Sequence, residues 1–199
     1  MAGKLIRFGA LAFLPLTLAA CVNIGGKAKL PPTLLTLTPS AVAPAGSGAT
    51  AAPADALMVL EPETDQYLSV VRIPVQVDDA NIAYVRNAQW VERPARLFRA
   101  LLAETLRAKG RHLILEDTQA SVPVAGSRLA GRLIAMGYDA QSRSVVVRYD
   151  AIRTSAGGAV QTKRFESVVS GVKANGKAIG PALNRAANDV AAQVADWVD

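Results

Sequence analysis

The sequence is short of the residues that build redox, metal and nucleophilic centres, since its 199 residues include one cysteine and one histidine. A single cysteine excludes an internal disulfide. One histidine with one cysteine also falls short of the four ligands typical of structural zinc sites. The histidine, His112, has no nucleophile motif beside it and so does not predict a Ser/His/Asp or Cys/His centre. We expect His112 to be a surface residue, and we expect neither a metal ion nor another cofactor.

Patterns that cradle phosphate or pair carboxylates for catalysis are also lacking. The glycine pairs at 25–26 and 157–158 fall in a predicted linker and a predicted turn, whereas a phosphate-binding loop follows a strand and opens a helix. The acidic pairs at 78–79 and 116–117 lie on predicted turns, where carboxylates usually cap backbone amides. The sequence therefore predicts a protein that is not an enzyme.

Long apolar runs are scarce as well, and the one near the amino end is short. It covers residues 8–20, 13 in all, whereas a helix that crosses a bilayer needs about 20. Lys4 and Arg7 precede it, which completes the positive and apolar regions of a secretory signal peptide. We predict that residues 1–20 are a signal peptide that is removed.

The cysteine lies where a lipid-attachment motif requires it. Leu18-Ala19-Ala20-Cys21 resembles the bacterial lipobox, in which the cysteine thiol accepts a diacylglycerol; a buried cysteine behind an ordinary signal peptide is the alternative. Two or three acyl chains hold a protein stably on a membrane. Val22 replaces the aspartate that retains many such proteins at the inner membrane. We predict anchoring through Cys21 on the periplasmic face of the cell envelope, at the outer membrane, a destination that excludes nucleic acid as a partner.

The segment after the cysteine, residues 21–55, is predicted to be a flexible lipidated tether. Residues 39–55 are rich in Ala, Pro, Gly and Ser and have too little apolar bulk to offset the entropy of ordering them. Residues 34–37, Leu-Leu-Thr-Leu, could instead form a short strand that docks the start of this segment on the domain. The pattern leaves both alternatives open.

The folded domain is predicted to cover residues 56–199. Apolar runs at 56–60, 70–77 and 81–85 have strand composition, and Pro74 within the second implies an edge or a bulge. Three longer extended segments follow at 128–138, 144–152 and 159–169, separated by hairpin turns. Their alternation, with Leu129, Leu133 and Ala135 on one side, predicts a sheet with one core face and one mostly polar face.

Two amphipathic helices are predicted, at about 94–109 and 178–197. Pro94 and Pro181 fit their first turns, Gly110 ends the first helix, and apolar residues repeat at spacings of three and four. Four arginines are expected on the solvent face of the first helix, with contact to lipid or to a partner as the alternative: Arg93, Arg96, Arg99 and Arg107. The fold class is α+β, a mainly antiparallel sheet with both helices packed on one face.

Several short segments occur in an order typical of one family. They are Leu34-Leu35-Thr36-Leu37, Leu57-Met58-Val59-Leu60-Glu61-Pro62, Ile82-Ala83-Tyr84, and Asn87-Ala88-Gln89-Trp90 with Pro94 downstream. By these segments the chain resembles the ABC-type transport auxiliary lipoprotein family, which includes the Pqi-type lipoproteins of Gram-negative bacteria. The family's common Tyr-Tyr-x-Leu is Leu-Leu-Thr-Leu here, a departure that removes its aromatic residues.

This resemblance implies a partner of an ABC transporter whose substrate-binding protein carries a mammalian-cell-entry domain. Such a system moves phospholipids or other hydrophobic molecules between the inner and outer membranes, and the lipoprotein is its docking component. Tyr84 and Trp90 are the candidate partner contacts, since amphipathic aromatic residues are enriched at interfaces; burial of both in the core is the alternative. A homo-oligomer stays open. So do two other functions, activation of an envelope-assembly or cell-wall machine and the shuttling of a lipid by the domain itself.

Overall fold

The computed structural model describes residues 33–117 and 126–198. The predicted signal peptide, Cys21 and residues 22–32 lie outside the described residues. Over these two ranges the chain forms one sheet of eight strands and two α-helices. The predicted α+β class is therefore confirmed.

The two predicted helices and the six predicted strands occur in the predicted order, with two further short strands among them. Their bounds are β1 Ala56–Val59, β2 Glu63–Thr64, β3 Arg72–Gln76, β4 Ile82–Gln89, α1 Pro94–Lys109, β5 Leu113–Glu116, β6 Ser127–Asp139, β7 Ser144–Thr154, β8 Val160–Val169 and α2 Gly176–Val198. Short 3₁₀ turns at Pro53–Asp55 and Gln66–Leu68 flank the first strands.

Strand β6 is the centre of the sheet. On one side it pairs antiparallel with β7 along its whole length, and β7 pairs in the same way with β8. On the other side it has three short parallel neighbours in succession, β1, β2 and β3. The long pairings are antiparallel, as predicted. The short pairings are parallel and join strands far apart in the chain, which the alternation of apolar and polar residues does not predict.

A bulge changes the phase of β6. Leu133 pairs with Tyr149 but Ala135 pairs with Arg148, so Ile134 is an extra residue on the β6 side. Beyond it the buried positions are Met136 and Tyr138, and Ala135 is only half-buried. The alternation predicted for Ala135 is therefore wrong from this point, because a bulge shifts the pleat by one residue.

A second and larger irregularity lies between β3 and β4. Arg72 pairs with Gln89 and Pro74 pairs with Tyr84, so four residues of β4 lie opposite one residue of β3. Asn87, in the middle of this bulge, has a φ of 54°, a left-handed conformation that asparagine tolerates better than most residues. Of the two alternatives that Pro74 left open, a bulge is the one observed.

Both helices pack on the same face of the sheet, as predicted. The ring of Phe98 in α1 meets that of Tyr149 edge-on at 5.2 Å, and Trp197 in α2 meets Phe165 at 5.6 Å. Tyr149 and Phe165 are direct register partners on β7 and β8, so their side chains point to one side. The two contacts therefore place the helices together.

The ends of the helices follow local chemistry. Gly110 ends α1 with a φ of 70°, the left-handed conformation of a helix C-cap. Helix α2 begins earlier than predicted, because the side chain of Asn175 accepts a hydrogen bond from the Ala178 amide at 3.0 Å. Pro181 consequently lies beyond the first turn and not within it.

The arginine face of α1 differs from its prediction at Arg99. This side chain is only 6% exposed and pairs with Asp117, with Glu116 and Glu61 at 3.4 and 3.6 Å. Arg107 also reaches Glu116, at 2.7 Å. The carboxylates of the β1–β2 connection and the end of β5 therefore neutralise much of this face within the domain, and Arg99 joins α1 to the strands beneath it.

Part of the predicted tether is attached to the domain. Residues 35–43, here called the strap, run along the sheet edge and across both helices. The Leu35 amide donates to Gln89 O at 2.8 Å and Leu35 O accepts from the Val91 amide at 2.8 Å. Leu37 is buried. Residues 35–43 therefore pack on the domain, and the docking of residues 34–37 that the sequence left open is observed as a single bridge between Leu35 and Trp90.

Candidate interaction surface

The residues first considered for catalysis have structural partners instead. The Asp78 carboxylate accepts hydrogen bonds from the amides of Ala80 and Asn81, both at 2.9 Å, and these bonds lower its pKa. Glu116 and Asp117 pair with arginines of α1. His112 is half-buried in the connection between α1 and β5. Within 33–117 and 126–198 no group of three or more His, Cys, Asp or Glu residues could hold a metal ion.

Among the described residues, neither helix combines the length and apolar character needed to cross a membrane.

Two polar side chains of α2 hold the strap. Asn188 donates to Thr38 O at 2.9 Å and accepts from the Ser40 amide at 2.7 Å, so one amide side chain satisfies two backbone groups. Asn184 accepts from the Thr38 amide at 2.7 Å. Asparagine suits this task because its amide carries both donors and an acceptor.

The strap also approaches α2 closely near the amino end of the helix. A Cβ at Gly180 would lie 2.7 Å from Leu35 Cδ2, nearer than van der Waals contact allows. Glycine at 180 therefore lets the leucine side chain lie against the helix backbone. Farther along, the Ala43 amide donates to Glu104 Oε1 of α1 at 2.9 Å, so the strap contacts both helices.

Trp90, one of the two candidate contact residues, lies in the core. Its side chain is 1% exposed, and its indole nitrogen has no hydrogen-bond partner among the described residues. Its backbone lies between two neighbours, because it bridges to Leu35 on one side and donates to Val71 O at 2.7 Å on the other. Of the two alternatives left open for Trp90, the structure shows the core position, where Trp90 joins the strap to the sheet.

The sequence neighbours of Trp90, Leu35 and Val71 point to the opposite face of the sheet, because side chains alternate along an extended chain. Val91 follows Trp90, Val70 precedes Val71 and Leu34 precedes Leu35, and the three are 55%, 38% and 44% exposed. We call the surface formed by Leu34, Val70 and Val91 the corner face. It lies where the described part of the chain begins, on the side of the sheet away from the helices.

Tyr84, the second candidate, lies near the corner face and is half-buried. The guanidinium carbon of Arg72 lies 4.0 Å from the centre of its ring, a cation–π geometry. Its hydroxyl donates to Tyr67 O at 3.4 Å. Arg72 is exposed on the same face, so the pair presents a charge and an aromatic ring together.

A small cleft lies next to Tyr84 and is lined partly by residues of β3. Its volume is about 160 Å³, and its lining is Tyr67, Pro74, Gln76, Ala135, Met136, Gly137, Tyr138, Asp139, Val146 and Arg148. The Tyr67 hydroxyl donates to Ile134 O at 2.6 Å, which fixes one wall. Burial, and after it the nearby Asp65 carboxylate, raises the pKa of Tyr67, so this hydroxyl stays protonated at neutral pH.

Sequence reasoning missed the contacts between the strap and the two helices, and it missed the corner face. The Asn184 and Asn188 pair at i and i+4 on one side of a helix is a signal that could have indicated a polar contact there. The corner face has no such signal, because its members come from three separate segments of the chain.

Comparison with known proteins identifies the family. The sequence profile of a family described as "ABC-type transport auxiliary lipoprotein component" matches residues 35–195, so the match begins with the strap. No curated protein matches the sequence.

Two solved structures share the fold. Protein XCC0632 from Xanthomonas campestris, described as DUF330, has a TM-score of 0.69 at 14% identity and covers 83% of this chain and 94% of its own. A second, described only as an uncharacterized protein, has a TM-score of 0.62 at 13% identity and covers 84% of this chain and all of its own, 100%. With the family profile matched from the strap to the last helix, the chain belongs to the family of ABC-type transport auxiliary lipoprotein components.

Proposed function

We propose that the protein is the lipid-anchored docking component of an ABC transport system whose substrate-binding protein carries a mammalian-cell-entry domain. The system would move phospholipid or other hydrophobic molecules between the inner and outer membranes, with this lipoprotein at the outer membrane. The observation that carries the proposal is the family match, which begins at residue 35, 14 residues after the lipobox-like Cys21.

The interior of the domain supports docking over shuttling. Most buried side chains of both helices and the sheet form one packed cluster that includes Trp90, Phe98 and Tyr149, and Ala56 and Leu115 form a small second one. The cleft beside Tyr84 measures about 160 Å³, below the roughly 300–1,000 Å³ of pockets that bury a drug-sized ligand. A phospholipid is larger still, so we assign this cleft no carrier role. Larger depressions of about 380–470 Å³ lie at separate places on the surface and are open to solvent.

Tyr84 is the residue we propose for contact with the partner protein. It is half-buried, held by Arg72 and adjacent to the cleft, and it therefore offers a ring whose conformation is already fixed. Pre-ordered aromatic side chains contribute to interfaces at low entropic cost. Trp90, being buried, is assigned to the stability of the domain.

Co-purification tests the proposal. The full-length protein, tagged at its carboxyl end and extracted from membranes in mild detergent, should bring down the permease, the ATPase and the mammalian-cell-entry protein. Tyr84→Ala should reduce their recovery, whereas Tyr84→Phe keeps the ring and should retain it. If the lipidated, membrane-bound protein brings down none of the three, the proposal fails and an envelope-assembly role takes its place.

A further inference from the structure

We propose that the corner face, formed by Leu34, Val70 and Val91, rests on the bilayer that holds the lipid of Cys21. The inference builds on the lipid anchoring in the proposed function and adds an orientation to it. It would fix which side of the domain faces the membrane.

The backbone hydrogen bonds put these side chains side by side. Arg72 pairs with Gln89 and the Trp90 amide donates to Val71 O, so the same register continued past the ends of β3 and β4 places Val70 opposite Val91. Leu35 bridges to Trp90 in parallel, so Leu34 follows on the adjoining segment. Side chains of successive residues point to opposite faces of a sheet. The same alternation that buries Trp90 therefore exposes the three aliphatic residues together.

The chain itself supplies the argument for a membrane as occupant. Leu34 belongs to the corner face and is also the second described residue, so the described part of the chain begins at this surface, on the side of the sequence toward Cys21. Cys21 precedes Leu34 by 13 positions, a span of about 45 Å at most when fully extended. An acylated Cys21 would therefore keep the corner face nearer to its bilayer than surfaces at the far edge of the sheet.

The polar surroundings of the corner face also suit a lipid surface. Arg72 is exposed beside it, and arginine places a charged tip at headgroup level above an apolar stem. An exposed arginine beside three aliphatic side chains complements an anionic lipid surface.

A single fluorescent label tests the orientation. Since Cys21 is the only cysteine and its thiol is consumed by acylation, Val91→Cys introduces the one free thiol, to be labelled with a polarity-sensitive fluorophore. The lipidated full-length protein is reconstituted in vesicles of phosphatidylethanolamine and phosphatidylglycerol that contain brominated lipid as quencher. The matched control is Val160→Cys, 63% exposed at the start of β8, the opposite edge strand.

A second sample separates this test from lipidation. Cys21→Ser, with a histidine tag in place of residues 1–20, is tethered to the same vesicles through nickel-chelating lipid. In both samples we expect the label at 91 to be quenched at least about twofold more than the label at 160, and Val70→Asp should remove the difference. Equal quenching at the two positions in the tethered sample would overturn the orientation. Absence of acyl groups from the mass of the wild-type protein would instead overturn the lipid anchoring, while the tethered sample still decides the orientation.

Discussion

The sheet has two regions that are built in different ways. The β6–β8 meander consists of long antiparallel strands joined by tight turns, and each residue pairs with one a short distance away in the sequence. The opposite region combines the strap, β3 and the end of β4. There single contacts join residues far apart in the chain, such as Thr38 with Asn188 and Leu35 with Trp90.

The difference indicates a division of labour. The meander provides a regular platform for both helices, with Tyr149 and Phe165 as their contact points. The strap region contains the chain that leads to the predicted anchor, the corner face and Tyr84. We infer that the meander provides the scaffold on which both helices pack, and that the strap region sets how the domain is held and what it contacts.

Removing Trp90 should have the largest effect, since it joins the strap to the sheet. Trp90→Ala should lower the free energy of unfolding by about 3–5 kcal/mol, the usual cost of deleting a buried aromatic side chain. Urea denaturation followed by circular dichroism measures it. Trp197→Ala is the matched control, because that half-buried ring packs on the meander edge at Phe165 and should cost less. A greater loss at Trp197 would reverse the assigned importance of the two tryptophans.

Removing the hydrogen bonds between Asn188 and the strap should have a smaller and more local effect. Asn188→Ala leaves Thr38 O and the Ser40 amide without their side-chain partner, at a cost of about 1–3 kcal/mol. Hydrogen exchange should accelerate at the Ser40 amide while the β6–β7 amides keep their protection. Gln193→Ala, an exposed change on the same helix, should leave both unchanged. Uniform acceleration across the sheet would show that the strap is not a separate unit.

The smallest effect is expected at the turn of the meander. The Asp139 carboxylate accepts from the amides of Ser142 and Gln141, and these bonds lower its pKa below the ordinary 3.8. Its contribution is therefore complete above pH 3.8 and is lost as the pH falls through the lowered pKa. Asp139→Asn keeps an acceptor but does not titrate, so the stability difference between the two proteins should shrink on acidification. A difference that grows instead would contradict this assignment.

The difference between the meander and the strap region also explains which features of the fold the sequence predicts. Alternation along β7 predicts the buried positions Val145, Val147, Tyr149 and Ala151. A regular strand with one buried face has apolar and polar residues in alternation, and this pattern is visible in the sequence. Gly110 likewise marks the end of α1 correctly. Such features depend only on residues that are close together in the chain.

Features that depend on distant residues could not be predicted in this way. Arg99 follows the spacing of a solvent-exposed position, yet carboxylates from β5 and from the β1–β2 connection bury it. Composition predicts a tether for residues 35–43. It does not reveal that they pack on the domain, because their hydrogen-bond partners lie about 60 to 150 residues away in the sequence. Trp90 is an amphipathic residue in sequence, and only the strap and β3 on its two sides make it part of the core.

The central claim is that the lipid on Cys21 holds an otherwise independent domain at the membrane, and Cys21→Ala tests it most directly. Fractionation after a carbonate wash, with Val22→Ala as the control that keeps the cysteine, measures where the protein lies. The account predicts that Cys21→Ala appears in the soluble fraction with an unchanged circular dichroism spectrum and urea midpoint, while Val22→Ala stays with the membranes. A Cys21→Ala protein that remains folded in the washed membrane pellet would contradict it.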